Sequence, residues 1–415
     1  MKIAYLDHTA RWSGGEVALY NLLTHLKGIG IPIDPIVILA EDGPLREKLA
    51  EKGVDVRVLP LDPTVRDRNR HAVSSGLFRS AFEVMRYSSR LARLLKEEKV
   101  DCVHTNSLKS AVYGAFAAKL ARLPLVWHIH DQIQPPYLKS YVAKFIQKMA
   151  RTLPNGIIAN SSSTLATLRL PAHKRQKELV LYPAYAGRFG REEVIREDPD
   201  PIPEEWRRSE DEFVVLMAGR IDEWKGHRTL LQAARLFKDQ PNVKFWIAGD
   251  ALFGQDDYKQ SLLEFIEQEG LTNVKMLGHV SRMERLMLEA DLLVHASVMP
   301  EPFGQVIVEG MAMGLPVIAS NQGGPKEIVE IGETGLLIPP GDPHVLGEAI
   351  QWMIQSPERR KSMGEGGIKR VRERFAIGQS IRALAHFYPE LRPKRKPAFT
   401  VSTAEGKYIE NCDRS

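Results

Sequence analysis

The sequence predicts an α/β protein of two domains, each a parallel β-sheet with helices on both faces, on either side of a central cleft. Short apolar runs alternate with amphipathic helical segments along the chain, which is typical of parallel sheets with crossover helices. This alternation stops at a segment rich in charge and proline, 187–210, and then restarts. The length of 415 residues suits two domains of ordinary size.

The first domain is predicted at residues 1–195. It begins with an apolar run at 2–6, followed by the glycine pair Gly14-Gly15 and a helical segment from about 16 to 27. Further strands are predicted at 35–39, 54–59, 102–105, 124–129 and 156–159. The serine run after Asn160 then predicts the start of another helix.

The second domain is predicted at residues 205–379 and repeats the pattern. Strands are predicted at 213–217, 243–248, 274–276, 292–295, 316–319 and 335–338, with a helix at 229–237. Apolar residues at helical spacing predict a last helix at 380–391, and the polar, basic residues 392–415 predict a flexible tail. Ligands of such sheets bind beyond the carboxyl ends of the strands, so the cleft is the predicted site.

Composition narrows the protein class. Hydrophobic residues make up 43% and charged residues 26%, as in globular proteins. No run approaches the ~20 apolar residues that span a bilayer, and the N-terminus is too short and polar for a signal peptide. The two cysteines, Cys102 and Cys412, are too far apart in sequence to indicate a disulfide framework or a metal site, which favours a cytoplasmic protein. We expect no metal and no cofactor.

The net charge of +5 is unevenly placed. Residues 137–151 contain four basic residues and no acidic one, with apolar residues at helical spacing, and residues 66–99 are also basic. A basic amphipathic helix can pack on its own domain or lie on an anionic membrane surface, and both readings stay open. No common nucleic-acid motif is present, so we expect no nucleic-acid partner.

The most informative stretch is 301–319. Pro302 suits the first position of a helix, whose free amides at Phe303, Gly304 and Gln305 would then favour a phosphate-like anion. On an ideal helix Glu309 would lie about 80° around the axis from Glu301, so both carboxylates could serve one ligand. An arbitrary pair of glutamates at this spacing would more often be a solvated helix face.

Three other constellations could bind a ligand. Arg220 and Lys225 follow a predicted strand, and a planar guanidinium with an ammonium can hold a diphosphate. The alternative is that both are ordinary charged residues of the surface. Gly14-Gly15 either forms a tight turn or lets the backbone approach a ligand. His128 and His130 end a strand on the same side, but no third metal ligand accompanies them, and His128 could be a core residue.

Together these strings resemble the signature of glycosyltransferase family 4, the retaining nucleotide-sugar transferases of the GT-B fold. The match covers Glu-Pro-Phe-Gly-x4-Glu-Gly-Met-Ala-x-Gly-x-Pro-Val-Ile-Ala at 301–319 and Gly-Arg…Lys-Gly at 219–226. It is strong from 213 to 375 and diffuse before that. The resemblance implies two Rossmann-like domains and a C-terminal helix that crosses back to the N-terminal domain. Residues 182–186 depart from the family's usual asparagine-glycine pair at the domain edge.

The resemblance also implies roles for individual residues. Glu301 and His130 would contact the transferred sugar, and Arg220 and Lys225 the donor diphosphate. Other donor contacts would be made by Gly14 and Gly15 beside the phosphate, by Phe303, Gly304 and Gln305 at the helix start, by Glu309 at the ribose, and by His279 and Val280 at the base.

The expected function is therefore retaining, metal-independent transfer of a hexosyl group from a UDP- or GDP-linked sugar to a saccharide or lipid-linked acceptor. Peripheral contact with an anionic membrane is part of this expectation. A GT-B nucleotide-sugar epimerase and an inactive sugar-nucleotide-binding protein are the alternatives.

Overall fold

The computed structural model describes residues 1–26, 33–66, 77–172, 176–251 and 254–391. Their strands are β1 (Lys2–Asp7), β2 (Asp34–Leu39), β3 (Asp55–Val58), β4 (Cys102–Thr105), β5 (Leu125–Ile129), β6 (Gly156–Ala159), β7 (Lys177–Val180), β8 (Phe213–Ala218), β9 (Val243–Ala248), β10 (Val274–Gly278), β11 (Leu292–His295), β12 (Val317–Ser320) and β13 (Gly335–Ile338). Their α-helices are α1 (Gly14–Leu26), α2 (Pro44–Glu51), α3 (Pro63–Arg66), α4 (Leu77–Glu97), α5 (Leu108–Ala121), α6 (Ser140–Ala150), α7 (Ser162–Thr167), α8 (Gly190–Glu197), α9 (His227–Ala234), α10 (Asp256–Gln268), α11 (Met283–Met287), α12 (Gln305–Ala312), α13 (Pro325–Ile328), α14 (Pro343–Gln355), α15 (Pro357–Arg370) and α16 (Ile377–Phe387).

The first sheet has the order β3-β2-β1-β4-β5-β6-β7, and all of its pairings are parallel. Its central strands are covered on both faces, since Ile3 and Tyr5 belong to one apolar cluster and Ala4 and Leu6 to another. The edge strand β7 was missed in the sequence, because its Lys177-Glu178 start interrupts the apolar pattern. The chain order reverses direction at β1, so β1 and β4 flank a switch point of the kind where ligands bind.

The second sheet has the order β10-β9-β8-β11-β12-β13, again wholly parallel. Strands β8 and β11 lie side by side at its centre, with apolar clusters on both faces. The predicted pair of Rossmann-like domains is confirmed. All strands predicted in the sequence are present, with ends shifted by two residues at most.

The chain passes between the domains at two adjacent places. Tyr185 and Ala376 form a parallel bridge, in which the Tyr185 amide donates to Phe375 O at 2.8 Å and the Ile377 amide donates to Tyr185 O at 3.1 Å. Helix α16 then packs against α1 of the first domain. Buried Tyr388, just after α16, lies 2.9 Å from the hydroxyl of Tyr5 in β1. The predicted return of the last helix to the N-terminal domain is confirmed.

The segment 187–210, rich in charge and proline, contains α8 and packs on the second domain. Val194 of α8 is fully buried in an apolar cluster of that domain. Arg282 also donates to Asp198 through Nε at 2.8 Å. The exact domain limits at 195 and 205 remain predictions, and the predicted tail 392–415 lies outside the described residues. Among the described helices, none is both long and apolar enough to cross a bilayer.

Candidate functional site

The Glu301 carboxylate lies in the loop after β11, and Glu301 is only 8% exposed. Its Oε2 accepts from Lys225 Nζ at 2.7 Å and from Ser297 Oγ at 3.1 Å, and lies 3.3 Å from His295 Nε2. Burial by itself raises the pKa of Glu301, but Lys225 and His295 together hold it well below its usual range. The carboxylate is therefore ionised, and Oε1 forms no hydrogen bond to the described residues.

A glycine pair holds the backbone of Glu301 in place. The Gly324 amide donates to Glu301 O at 2.8 Å, and Gly323 forms a parallel bridge with Glu301. Gly323 has a φ of +66°, and a Cβ there would lie 2.2 Å from Glu301 O. Only glycine fits this close approach, which explains the Gly-Gly pair after β12.

Helix α12 begins at Gln305, and the prediction that Pro302 is its first residue is wrong. Gly304 precedes the helix with a φ of +107°, a left-handed conformation that breaks the helical path between Glu301 and Gln305. The predicted 80° relation between the two glutamates therefore does not apply. Glu309 does lie on α12, where burial and the nearby Glu284 carboxylate raise its pKa to about 7.

Lys225 is placed by the loop that follows β8. Its ammonium lies 4.2 Å from the centre of the Trp224 ring, and Trp224 O accepts from the Val298 amide at 2.8 Å. The loop is pressed against the end of β11, because a Cβ on Gly226 would lie 1.9 Å from Ala296 O. Arg220, in the same loop, donates to Asp222 Oδ2 at 3.1 Å. Both predicted cations thus lie at the carboxyl ends of the strands of the second sheet, as Glu301 does.

His130 lies just after β5 in the first domain. Its Nε2 is 3.0 Å from Asn106 Oδ1, and its ring packs against that of His128 with 4.1 Å between centres and 36° between planes. Burial lowers the pKa of His130. Asn106 follows β4, and its Nδ2 donates to Asp7 Oδ2 at 2.7 Å at the end of β1. Sequence reasoning missed Asn106 and Asp7, although each follows or ends a strand of the sheet.

The two domains meet beside Glu301. Ser161, which caps the N-terminus of α7 as the serine run predicted, donates through Oγ to Pro302 O at 2.6 Å. Across the same contact, the Glu327 carboxylate accepts from the amides of Ser162 and Ser163 at 2.9 and 2.8 Å and from Tyr182 Oη at 3.1 Å. Sequence reasoning gave no role to Glu327.

The remaining predicted donor residues are dispersed around the cleft. A Cβ on Gly14 would lie 4.0 Å from Gln305 Oε1, so the glycine loop faces the start of α12. Phe303 is buried and stacks on Tyr182 with ring centres 5.8 Å apart, so it can offer a ligand only its backbone. His279 is exposed after β10 and Val280 is buried.

Comparison with known proteins agrees with this architecture. Residues 12–175 match the family described as Glycosyltransferase Family 4, and residues 198–370 match Glycosyl transferases group 1. The capsular polysaccharide biosynthesis glycosyltransferase CapM of Staphylococcus aureus is 24% identical over 80% of this chain and 88% of its own. The D-rhamnosyltransferase WbpZ of Pseudomonas aeruginosa is 32% identical over 41% of this chain and 44% of its own.

A solved structure extends the likeness to almost the whole chain. HepE of Anabaena in complex with UDP has a TM-score of 0.78 and is 26% identical, and the match covers 94% of this chain and all of HepE. This chain is a GT-B glycosyltransferase similar to family 4. HepE has also been solved with UDP-glucose, at a TM-score of 0.77.

For a GT-B glycosyltransferase, the arrangement concentrates opposite charges where the domains meet. The second domain contributes the ionised Glu301 and its lysine, and the first contributes a histidine and the capped start of α7. Among the described residues, no three histidine, cysteine, aspartate or glutamate side chains are grouped as a metal would require.

Proposed function

We propose that this glycosyltransferase moves a hexosyl group, with retention of configuration, from a nucleotide-diphosphate sugar to a saccharide or lipid-linked acceptor, without a metal ion. The observation that carries the proposal is the buried, ionised Glu301 bound to Lys225 where the two domains meet. A carboxylate with one unused oxygen can accept hydrogen bonds from sugar hydroxyls, and the neighbouring ammonium can take the leaving phosphate.

In the proposed reaction, Arg220, Lys225 and the first amides of α12 stabilise charge that develops on the leaving diphosphate. Preorganised donors of this kind are worth most in a cleft that excludes water. Glu301 and His130 hold the sugar, and Glu309 binds the ribose. Closure of the domains keeps water from hydrolysing the donor. The leaving phosphate helps to remove the proton of the acceptor hydroxyl. It does so on the same face of the sugar from which the phosphate departs.

A uridine donor is supported by HepE, which was solved with UDP and with UDP-glucose. A GDP-linked donor is the second option. His279 and Val280 lie in the loop after β10, and we propose that this loop contacts the base while Gly14 and Gly15 contact the phosphate. The first domain then binds the acceptor.

We further propose that the protein is cytoplasmic and docks on the inner face of an anionic membrane through α6. Tyr141 and Phe145 are 60% and 56% exposed on this helix, and Lys144 and Lys148 are exposed beside them. Exposed aromatic rings flanked by ammonium groups suit the interface of an anionic bilayer. Part of the other basic stretch, at 67–76, lies outside the described residues.

Vesicle flotation tests this docking. The protein should float with phosphatidylglycerol vesicles at low salt and not with phosphatidylcholine vesicles, and Phe145→Glu should abolish flotation. Leu236→Glu is the matched control, because Leu236 is 46% exposed on the second domain. Equal flotation of Phe145→Glu and wild type would remove α6 from the proposal.

The catalytic proposal is tested by a thermal-shift panel of UDP, GDP, ADP and their sugar conjugates with EDTA present, followed by a transfer assay. A ligand that binds only the folded state raises the Tm by mass action. One nucleotide should raise Tm, and its sugar conjugate should donate to a saccharide or lipid-linked acceptor. Rearrangement of the donor without an acceptor would indicate an epimerase, and binding without any turnover an inactive binding protein.

A further inference from the structure

A hydrogen-bonded chain links the ends of three neighbouring strands in the first domain. Asp7 ends β1, Asn106 follows β4 and His130 follows β5. Asn106 Nδ2 donates to Asp7 Oδ2 at 2.7 Å and to Gly15 O at 3.3 Å, while Asn106 Oδ1 lies 3.0 Å from His130 Nε2. Asp7 is fully buried and Asn106 is 3% exposed.

The chemistry of Asp7, Gly15 and Asn106 fixes the direction of each of these hydrogen bonds. Although burial raises the pKa of Asp7, hydrogen bonds from His8 and Asn106 hold it below its usual range, so Asp7 only accepts. Gly15 O is also an acceptor. The NH2 group of Asn106 must therefore face these two oxygens, because the reversed amide would place oxygen against oxygen. Asn106 Oδ1 is left facing His130, and it too can only accept.

We propose that Asp7 and Asn106 are positioning residues that hold His130 with its proton on Nε2 and present Nδ1 to the cleft as a bare acceptor. This inference rests on the proposed function, because it specifies how His130 would contact the donor sugar. An imidazole whose outward nitrogen only accepts recognises a hydroxyl hydrogen, which a sugar supplies in abundance. A carbonyl or a phosphate oxygen at that point would be repelled.

The same chain ties the glycine loop to the histidine. Gly15 lies in the first turn of α1, and its carbonyl receives the second hydrogen of the Asn106 amide. The hydrogen bonds of Asn106 therefore link the start of α1, the loop after β4 and the loop after β5. On this account a change at Asp7 is transmitted to His130 without any change in the contacts that Glu301 makes.

The test is the tautomer of His130, read by long-range ¹H–¹⁵N correlation spectroscopy of protein labelled at histidine nitrogens. The protein has 12 histidines, and the spectrum of His130→Gln assigns the signal. We expect wild type to carry the proton on Nε2 alone. Asn106→Leu should give a mixture of tautomers and lower kcat roughly tenfold or more with little change in KM, since a displaced group can cost up to about 10²-fold.

Asp7→Asn is the isosteric second variant, because it lets the Asn106 amide reverse and should move the proton of His130 toward Nδ1. Asn273→Leu is the matched control, since Asn273 is 6% exposed in the other domain and should leave the His130 signal unchanged. A wild-type proton on Nδ1, or an unchanged tautomer in both variants, overturns the inference. If wild type neither binds a nucleotide nor transfers a sugar, the proposed function is overturned. The tautomer result does not depend on that outcome.

Discussion

Glu301 Oε2 and Lys225 Nζ lie 2.7 Å apart, although the two residues are 76 positions apart in the chain. They are brought together because β11 and β8 are neighbours in the second sheet and each residue lies in the loop after its strand. A diphosphate that uses Lys225 must therefore share the ammonium with Glu301. This sharing predicts different effects of replacing the carboxylate on binding and on turnover.

We expect Glu301→Gln to lower kcat by two orders of magnitude or more while the Kd of the nucleoside diphosphate stays equal or becomes slightly tighter. The neutral amide no longer competes for Lys225, but it loses the charge that acts on the sugar. Calorimetry gives the Kd and a transfer assay gives kcat. Glu330→Gln, at an exposed glutamate paired with Arg370, is the control. Wild-type turnover by Glu301→Gln would remove Glu301 from the site.

Arg220→Ala should act on binding rather than on turnover alone. A hydrogen bond to a charged group is worth about 1.5–3 kcal/mol, which corresponds to a Kd for the nucleoside diphosphate about 10- to 150-fold weaker. Arg235→Ala is the control, since Arg235 lies in the same domain and pairs with Glu269 at 3.4 Å on the surface. Equal affinity of Arg220→Ala and wild type in calorimetry contradicts the diphosphate role.

Glu327→Ala should open the molecule. Its carboxylate accepts hydrogen bonds from two amides at the start of α7 and from Tyr182 Oη. All three donors lie in the first domain, across the cleft from Glu327. Loss of these bonds leaves the helix start without its acidic partner. We expect a larger radius of gyration in small-angle scattering without ligand, a higher KM, and partial recovery of the compact form when the donor is added. Glu330→Ala should scatter like wild type.

The fold was readable from the sequence because parallel strands buried on both faces are continuous apolar runs. The apolar run at 156–159, for example, matched its strand residue for residue. Strand β7 was missed for the complementary reason, since two of its four residues, Lys177 and Glu178, are charged and leave only a short apolar signal. The start of α12 was misplaced because Pro302 suggests a helix start, whereas the left-handed conformation of Gly304 depends on tertiary context.

The candidate site was only partly readable. Glu301, Arg220 and Lys225 lie in recognisable strings. The hydrogen bond from Lys225 to Glu301, however, follows from the order of strands in the sheet. Asn106 lies in no recognised motif, and Glu327 lies within the matching region but was given no role of its own. Their roles arise from partners at least 99 positions away, Asp7 for Asn106 and Ser162 for Glu327. Such pairings are set by strand order and domain contact, which a local pattern does not encode.

Glu309 should make the stability of the protein depend on pH between about 4.5 and 7. Burial and Glu284 raise its pKa from 4.5 to about 7, so the folded state holds this proton more tightly than the unfolded state. Stability from this group is therefore lost as the pH rises from 4.5 through 7 and is not regained above that. Glu309→Gln keeps the side chain neutral and escapes the loss.

We expect Glu309→Gln to match wild type in free energy of unfolding near pH 4.5 and to exceed it by about 1–3 kcal/mol at pH 8, or a few degrees in Tm. Burial also raises the pKa of Glu16 to about 7, but both proteins retain Glu16, so its contribution cancels in the difference. Glu348→Gln, at an exposed position on α14, should show no pH-dependent difference. Parallel pH profiles of Glu309→Gln and wild type would show that Glu309 is ionised at little cost in the folded protein.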